Sequence, residues 1–138
     1  MKRLALLSVV ALMLASAVFA PVAMAQTPGD ADVQTVTLGP EGTLQVTGTI
    51  VCVAGHDYGI SLDARQTQGN QPVKLASGFT SGICQTTGQE TFTVDLLPAQ
   101  GSKPIRKGEV VVSGSGFVCG PSVCRGAPIG VEVFELAR

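Results

Sequence analysis

Hydrophobic and polar residues alternate in short runs along most of the chain, which is the pattern of strands that bury one face. The clearest run covers residues 43–53. One of its faces carries Leu44, Val46, Ile50 and Cys52, whereas the other carries threonine and glutamine. This run therefore predicts a strand that packs on a hydrophobic core with one face only.

Six further runs of this kind are separated by turn-forming glycine, proline and asparagine, and no helical stripe follows residue 25. The seven predicted strands cover residues 33–38, 43–53, 58–68, 73–84, 90–97, 109–118 and 129–136, and the last is predicted to be apolar on both faces. Seven short strands in about 100 residues predict an all-β fold, an immunoglobulin-like antiparallel β-sandwich. A seven-stranded barrel is the alternative.

The first 25 residues have a different character. Lys2 and Arg3 precede an apolar run over residues 4–19, and Ala23 and Ala25 flank Met24 as in a small-residue cleavage site. This order predicts a secretory signal peptide that is cut after Ala25. An uncleaved membrane anchor is the alternative, but a spanning helix needs about 20 apolar residues and this run is shorter.

The predicted organisation is a signal peptide in residues 1–25, an N-terminal segment with the first strand in 26–42, and the rest of a single sandwich domain in 43–138. We expect no membrane span after cleavage, and a monomer. The 113 residues after Ala25 are enough for one modest core.

The charge of the exported part excludes one class of partner. Two of the 9 Lys and Arg leave with the signal and all 10 acidic residues remain, so the net charge is about −3. Nucleic-acid binding needs a clustered basic surface, so we expect none. The one basic cluster, Arg106 and Lys107 with Lys103 nearby, is interpreted as a solvated loop.

All 4 cysteines follow the signal, and an even number in an oxidising compartment predicts two disulfides. Three pairings are possible. The short spacing of Cys119 and Cys124 favours a bond between them, which leaves Cys52 to pair with Cys84. Zinc would need further close cysteine pairs or several histidines, and His56 is the only histidine. We therefore expect neither a metal nor a cofactor.

The predicted strand directions bring the cysteines together. If consecutive strands alternate in direction, the strands that end at Cys52, Cys84 and Cys119 finish at the same end of the sandwich, and Cys124 lies in the loop that follows. Loops at one end of such folds often form binding sites. The candidate binding residues at this end are His56, Asp57, Tyr58, Thr86, Pro121, Ser122 and Arg125.

The neighbours His56 and Asp57 raise the question of catalysis. Acid–base chemistry needs partners within hydrogen-bonding reach and, in a triad, an activated nucleophile. The chain has no G-x-S-x-G elbow, and the repeat over residues 113–116 only resembles one. We therefore predict that the protein is not an enzyme. We also expect Tyr58 to pack through its ring with its hydroxyl at the rim, and Arg125 to be a solvated charge in a loop.

Several segments resemble known exported proteins. The segments GTIVC at residues 48–52 and QETFTV at residues 89–94, followed by a closing cysteine pair, resemble a family of short exported bacterial β proteins known only as a domain of unknown function. The resemblance spans most of residues 43–136 and implies export, the sandwich and the disulfides. The cysteine loop before a last apolar strand is also similar to neocarzinostatin-type apoproteins, which implies an apolar ligand in a cleft.

These observations favour a secreted, non-enzymatic, disulfide-stapled domain that binds an unknown protein or small ligand or acts in the cell envelope. A carrier of a small apolar ligand in a sandwich cleft is one alternative. An inhibitor of an exported protease is the other, in which the CGPSVC loop at residues 119–124 would be the presented segment.

Overall fold

The computed structural model describes residues 26–67, 69–71 and 73–137, and about two thirds of these residues lie in β-strands. The predicted signal peptide, residues 1–25, lies outside the described residues. The strands are β1 (Ala31–Leu38), β2 (Leu44–Cys52), β3 (Asp57–Gln66), β4 (Lys74–Ile83), β5 (Gly88–Pro98), β6 (Gly108–Cys119) and β7 (Cys124–Leu136), with a 3-10 turn over Pro40–Gly42. Among the described residues, no helix is long and apolar enough to cross a membrane.

The strands form one antiparallel arrangement in the order β1-β2-β5-β4-β3-β6-β7. Strands β4 and β5 share only two residue pairs, Ala76 with Pro98 and Ser77 with Leu97. Strands β1 and β7 also contact each other, so the sheet curls almost into a closed barrel. The prediction of seven antiparallel strands in an all-β fold is confirmed.

The core lies inside this curled sheet and follows the predicted alternation. In β2, β3 and β5 every second side chain is buried, as the pattern of apolar positions requires. The largest hydrophobic side chains that are fully buried are Leu44, Val46, Ile50, Ile60, Leu62, Phe92, Val94, Leu96, Ile105, Val110 and Val112. Burial of these side chains is the main source of stability, at about 1.5–3 kcal/mol for each large one.

The prediction for the last strand is wrong in two respects. Strand β7 begins at Cys124 rather than at Ile129, because the short hairpin loop lets β6 and β7 pair as far as Cys119 and Cys124. Cys124 and Arg125 are therefore strand residues, not loop residues. The strand also buries only one face, since Phe134 and Leu136 pack on the core whereas Val131 and Val133 are 73% and 60% exposed.

Strand β4 turns its large hydrophobic side chains outward. Its inward positions hold small residues such as Ala76 and Gly78, and a side chain at Gly78 would collide with the backbone carbonyl of Asp95 on β5. Because the neighbouring backbone approaches so closely, the bulky Phe79 and Ile83 occupy the outer face.

A buried glutamine fixes the long loop between β5 and β6. The Gln66 side chain is 1% exposed, and its Nε2 donates to the carbonyl oxygens of Arg106 (2.7 Å) and Glu109 (3.3 Å). Its Oε1 accepts a hydrogen bond from the Arg106 N–H at 2.9 Å. The loop is held a second time where the Leu75 N–H donates to Ser102 Oγ at 2.8 Å. The loop that carries the basic cluster of Lys103, Arg106 and Lys107 is therefore hydrogen-bonded to both β3 and β4.

Two carboxyl groups meet where β1 approaches β7. The pKa of Glu132 is raised above its ordinary value, first by burial and then by a hydrogen bond and charge repulsion with Asp32. The protonated form of Glu132 is therefore favoured in the folded state. A carboxyl group whose pKa is raised by folding stabilises the folded state at pH values below its unfolded-state pKa. This contribution is lost as the pH rises through its folded-state pKa.

We expect Glu132→Gln to stabilise the protein at neutral pH, because it removes the repulsion between the two carboxylates. The gain should stay below about 1 kcal/mol, since both groups are near the surface. Denaturant unfolding at a series of pH values checks this: the gain should shrink as pH falls and vanish below the unfolded-state pKa of glutamate. Glu41→Gln, at an exposed residue in the turn after β1, is the control. A gain that is equal at all pH values would contradict this account.

Candidate functional site

Two disulfides lie at one end of the fold. Cys52 at the end of β2 bonds Cys84 just after β4, and Cys119 at the end of β6 bonds Cys124 at the start of β7. The strand register shows that both bonds are at the same end, because Asp57 at the start of β3 lies opposite both Ile83 and Cys119. The predicted pairing is confirmed. We call this part of the molecule the cysteine end.

Hydrogen bonds connect the loops of the cysteine end. The Gly55 N–H donates to the Cys84 carbonyl at 2.9 Å, and the Cys84 N–H donates to the His56 carbonyl at 2.8 Å. The Ala54 N–H donates to Thr87 Oγ1 at 3.1 Å. These bonds join the β2–β3 loop to the β4–β5 loop, so hydrogen bonds and the Cys52–Cys84 disulfide together hold the two loops in place.

The carboxylate of Glu90 on β5 organises the β4–β5 loop. One of its oxygens accepts hydrogen bonds from the N–H groups of Gln85 and Thr86, the second at 2.6 Å. A carboxylate that accepts two backbone N–H groups holds a turn firmly, because such bonds are stronger than neutral ones. Thr86, one of the predicted binding residues, is exposed on this fixed loop.

The predicted site residues divide between packing and exposed positions. His56 is half-buried and lies against the CGPSVC loop, since a side chain at Gly120 would meet its Cε1 at 2.6 Å. Tyr58 is half-buried against the core, and its ring lies across Gly82. These contacts give both aromatic rings a packing role.

The remaining predicted residues, Asp57, Pro121, Ser122 and Arg125, are exposed. Pro121 and Ser122 lie in the hairpin loop closed by the second disulfide, and the Gly120 N–H donates to the Val123 carbonyl at 2.9 Å within it. Within the described residues, no group of three or more His, Cys, Asp and Glu side chains is arranged to hold a metal ion.

Sequence reasoning missed an aromatic pair next to the cysteine end. Phe117 on β6 lies across the outer face over Gly59 of β3, where any side chain would collide with its ring. Its ring stacks with Phe79 of β4, with centroids 6.4 Å apart and planes inclined by 22°. Phe79 is 59% exposed, although aromatic side chains usually bury most of their surface.

A further hydrophobic residue extends this surface. Ile83 on β4 is 57% exposed and shares the outward-facing side of that strand with Phe79. We call the surface formed by Phe79, Ile83 and Phe117 the apolar face. The signal for it in the sequence was the spacing in β4, where Phe79 and Ile83 are an odd number of residues from Cys84 and so lie on the face opposite to it.

No family model, curated protein or solved structure matches this chain. The two resemblances drawn from the sequence therefore stay predictions.

Proposed function

We propose that this protein is a secreted, non-enzymatic binding domain that recognises a protein partner through the apolar face and the adjoining loops of the cysteine end. The observation that carries the proposal is the stacking of the 59% exposed Phe79 on the half-buried Phe117, next to an end of the fold that two disulfides hold together. Two disulfides are compatible with the oxidising compartment that secretion implies.

The energetics of recognition favour this surface. Exposed aromatic rings supply a large apolar area with few rotatable bonds, and such residues dominate the binding energy of many interfaces. The loops beside them are already ordered by disulfides and hydrogen bonds, so less conformational entropy is lost on binding. Asp57, which lies opposite Ile83 in the register of β3 and β4, adds a charge at the edge of the apolar face, where charges influence the choice of partner and the association rate.

The strand order supports the immunoglobulin-like sandwich as the form of this domain. The two-pair junction between β4 and β5 divides the strands into a layer of β1, β2 and β5 and a layer of β4, β3, β6 and β7. In this interpretation the apolar face is the outer surface of the four-stranded layer, and the core lies between the layers.

Site-specific photo-crosslinking in the source organism tests the proposal. A photo-reactive amino acid in place of Ile83 is expected to give a discrete adduct with one polypeptide, whereas the same group in place of Thr93, exposed on β5, should give none. Phe79→Ser should reduce the Ile83 adduct about tenfold, the loss typical of an interface aromatic. This change also removes the stacking on Phe117, so we expect the free energy of unfolding to fall by about 0.5–1.5 kcal/mol, which should leave the domain folded.

The same experiment separates the alternatives. Equal adduct yields at Ile83 and Thr93, or an Ile83 adduct indifferent to Phe79→Ser, would contradict the proposal. An adduct with a protease, formed most strongly from Ser122, would instead favour the inhibitor, which the exposure of the disulfide-closed loop makes the second candidate. A small molecule retained in native mass spectrometry without any polypeptide adduct would favour the carrier.

A further inference from the structure

A basic cavity lies at the end of the fold opposite the cysteine end. Its volume is about 410 Å³, within the range of small-molecule sites of about 300–1,000 Å³. The lining residues are Gln71, Lys74, Lys103, Pro104 and Arg106. Three of these five are cationic and, among the described residues, no carboxylate lines the cavity.

Lys74 is the unusual member of this group. It is the first residue of β4, opposite Gln66 of β3, and only 6% of it is exposed. Among the described residues, no side-chain nitrogen is both fully buried and without a hydrogen-bond partner, so the stem of Lys74 is buried while its ammonium reaches the surface of the cavity. An anion in the cavity would therefore meet a positive charge whose side chain is already ordered by the packing of its stem.

The backbone that carries the other two cationic residues is held in place next to Lys74. The Gln66 side chain holds the backbone N–H and carbonyl of Arg106, and Ser102, next to Lys103, is bonded to the backbone of β4. The cationic side chains therefore start from a loop whose backbone is fixed on both sides of the cavity. Such preorganisation lowers the entropic cost of binding.

We propose that this cavity binds a phosphate group. The guanidinium of Arg106 can form two parallel hydrogen bonds with phosphate oxygens, and the ammonium groups of Lys74 and Lys103 supply two further charges. The Gln71 carboxamide can donate one more hydrogen bond. The exported part of the chain carries a net charge of about −3, so three cations around one cavity are a local exception to its overall charge. The site is separate from the apolar face and does not depend on the proposed function.

Titration of the oxidised protein with inorganic phosphate at constant ionic strength, followed by amide NMR shifts, tests this site. We expect saturable shifts confined to the residues around Lys74, Lys103 and Arg106. Arg106→Gln and Lys103→Gln should each weaken binding about tenfold, the effect of losing one charge-assisted hydrogen bond. Lys74→Met retains most of the apolar stem and should abolish saturation.

Arg125→Gln is the matched control, because it removes the same kind of charge at the cysteine end. It should leave the phosphate affinity unchanged. Shifts that do not saturate, or an equal loss of affinity in Arg125→Gln and Arg106→Gln, would overturn the proposal. Since Lys103 and Arg106 are exposed, their variants should fold even if Lys74→Met does not.

The source of the phosphate group is distinguished by a second arm. Vesicles of phosphatidylglycerol and of phosphatidylcholine are compared in co-sedimentation with the wild-type protein and Arg106→Gln. Binding to phosphatidylglycerol that inorganic phosphate displaces and Arg106→Gln weakens would identify a lipid headgroup. Saturable binding of free phosphate without vesicle binding would identify a soluble phosphate ligand.

Discussion

Replacing Cys52 and Cys84 together by alanine is expected to lower the free energy of unfolding by about 4 kcal/mol. The two residues are 32 positions apart, and a crosslink that closes a loop of this length stabilises a protein by about 3.5 kcal/mol through the entropy of the unfolded chain. Both cysteines are almost completely buried, so the lost sulfur contacts add to this value. Small domains have total stabilities of about 5–15 kcal/mol, so the variant should be close to unfolding at physiological temperature.

The matched comparison is the replacement of Cys119 and Cys124 by alanine. This disulfide closes a loop of only 5 positions, and Cys124 is exposed. The expected loss is about 2 kcal/mol. Denaturant unfolding of the two double variants checks the difference, and the slope m should rise more in the Cys52 and Cys84 variant because losing the longer crosslink lets the unfolded chain expand further. Equal losses, or a larger loss from the hairpin disulfide, would contradict the loop-length argument.

Gln66→Met is expected to cost about 2–3 kcal/mol although the two side chains have similar volumes. The change leaves the Arg106 N–H and carbonyl without their partner, and each buried polar group left unsatisfied costs about 1–3 kcal/mol. Gln89→Met, at an exposed position on β5, is the control and should change stability by less than about 0.5 kcal/mol. Thermal or denaturant unfolding measures both, and equal effects would show that the loop is not held by the carboxamide.

Gln66→Glu separates hydrogen bonding from packing. A carboxylate at this position would still accept from the Arg106 N–H, but it would face the carbonyl oxygens of Arg106 and Glu109 with no hydrogen to donate. Burial and these oxygens should raise the pKa of the new carboxyl. The variant should therefore approach wild-type stability at acid pH and lose it as pH rises through the folded-state pKa. A variant with the same deficit at every pH would contradict the assignment.

Much of this architecture could be predicted from local patterns. Strict alternation in residues 43–53 and 90–97 identified strands whose buried faces are those of β2 and β5. The antiparallel order of the strands then predicted that all four sulfur atoms meet at one end, as they do. These inferences succeeded because the side-chain period of a strand is two, so one buried residue determines the orientation of its neighbours.

The rest depended on long-range contacts. The close approach of β5 to Gly78, which leaves room only for small residues on the inner side of β4, is contained in no local pattern. Gln66 was placed in a strand, but its partner Arg106 is 40 residues away in a segment without strand character. The error in β7 had a local cause, since a hairpin closed by a disulfide can keep pairing up to the cysteines themselves.

The directions of the outermost strands have a practical consequence for labelling and immobilisation. Strand β1 begins near Ile50, close to Cys52, whereas β7 ends at Leu136 beside Gly108, at the far end of the molecule. A fusion partner joined before β1 would crowd the loops that carry Pro121 and Ser122. One joined after β7 would leave those loops open but stand close to Arg106. Tethering the protein to a sensor before β1 would therefore hide the loops of the cysteine end and leave the basic cavity accessible. Tethering it after β7 would do the reverse.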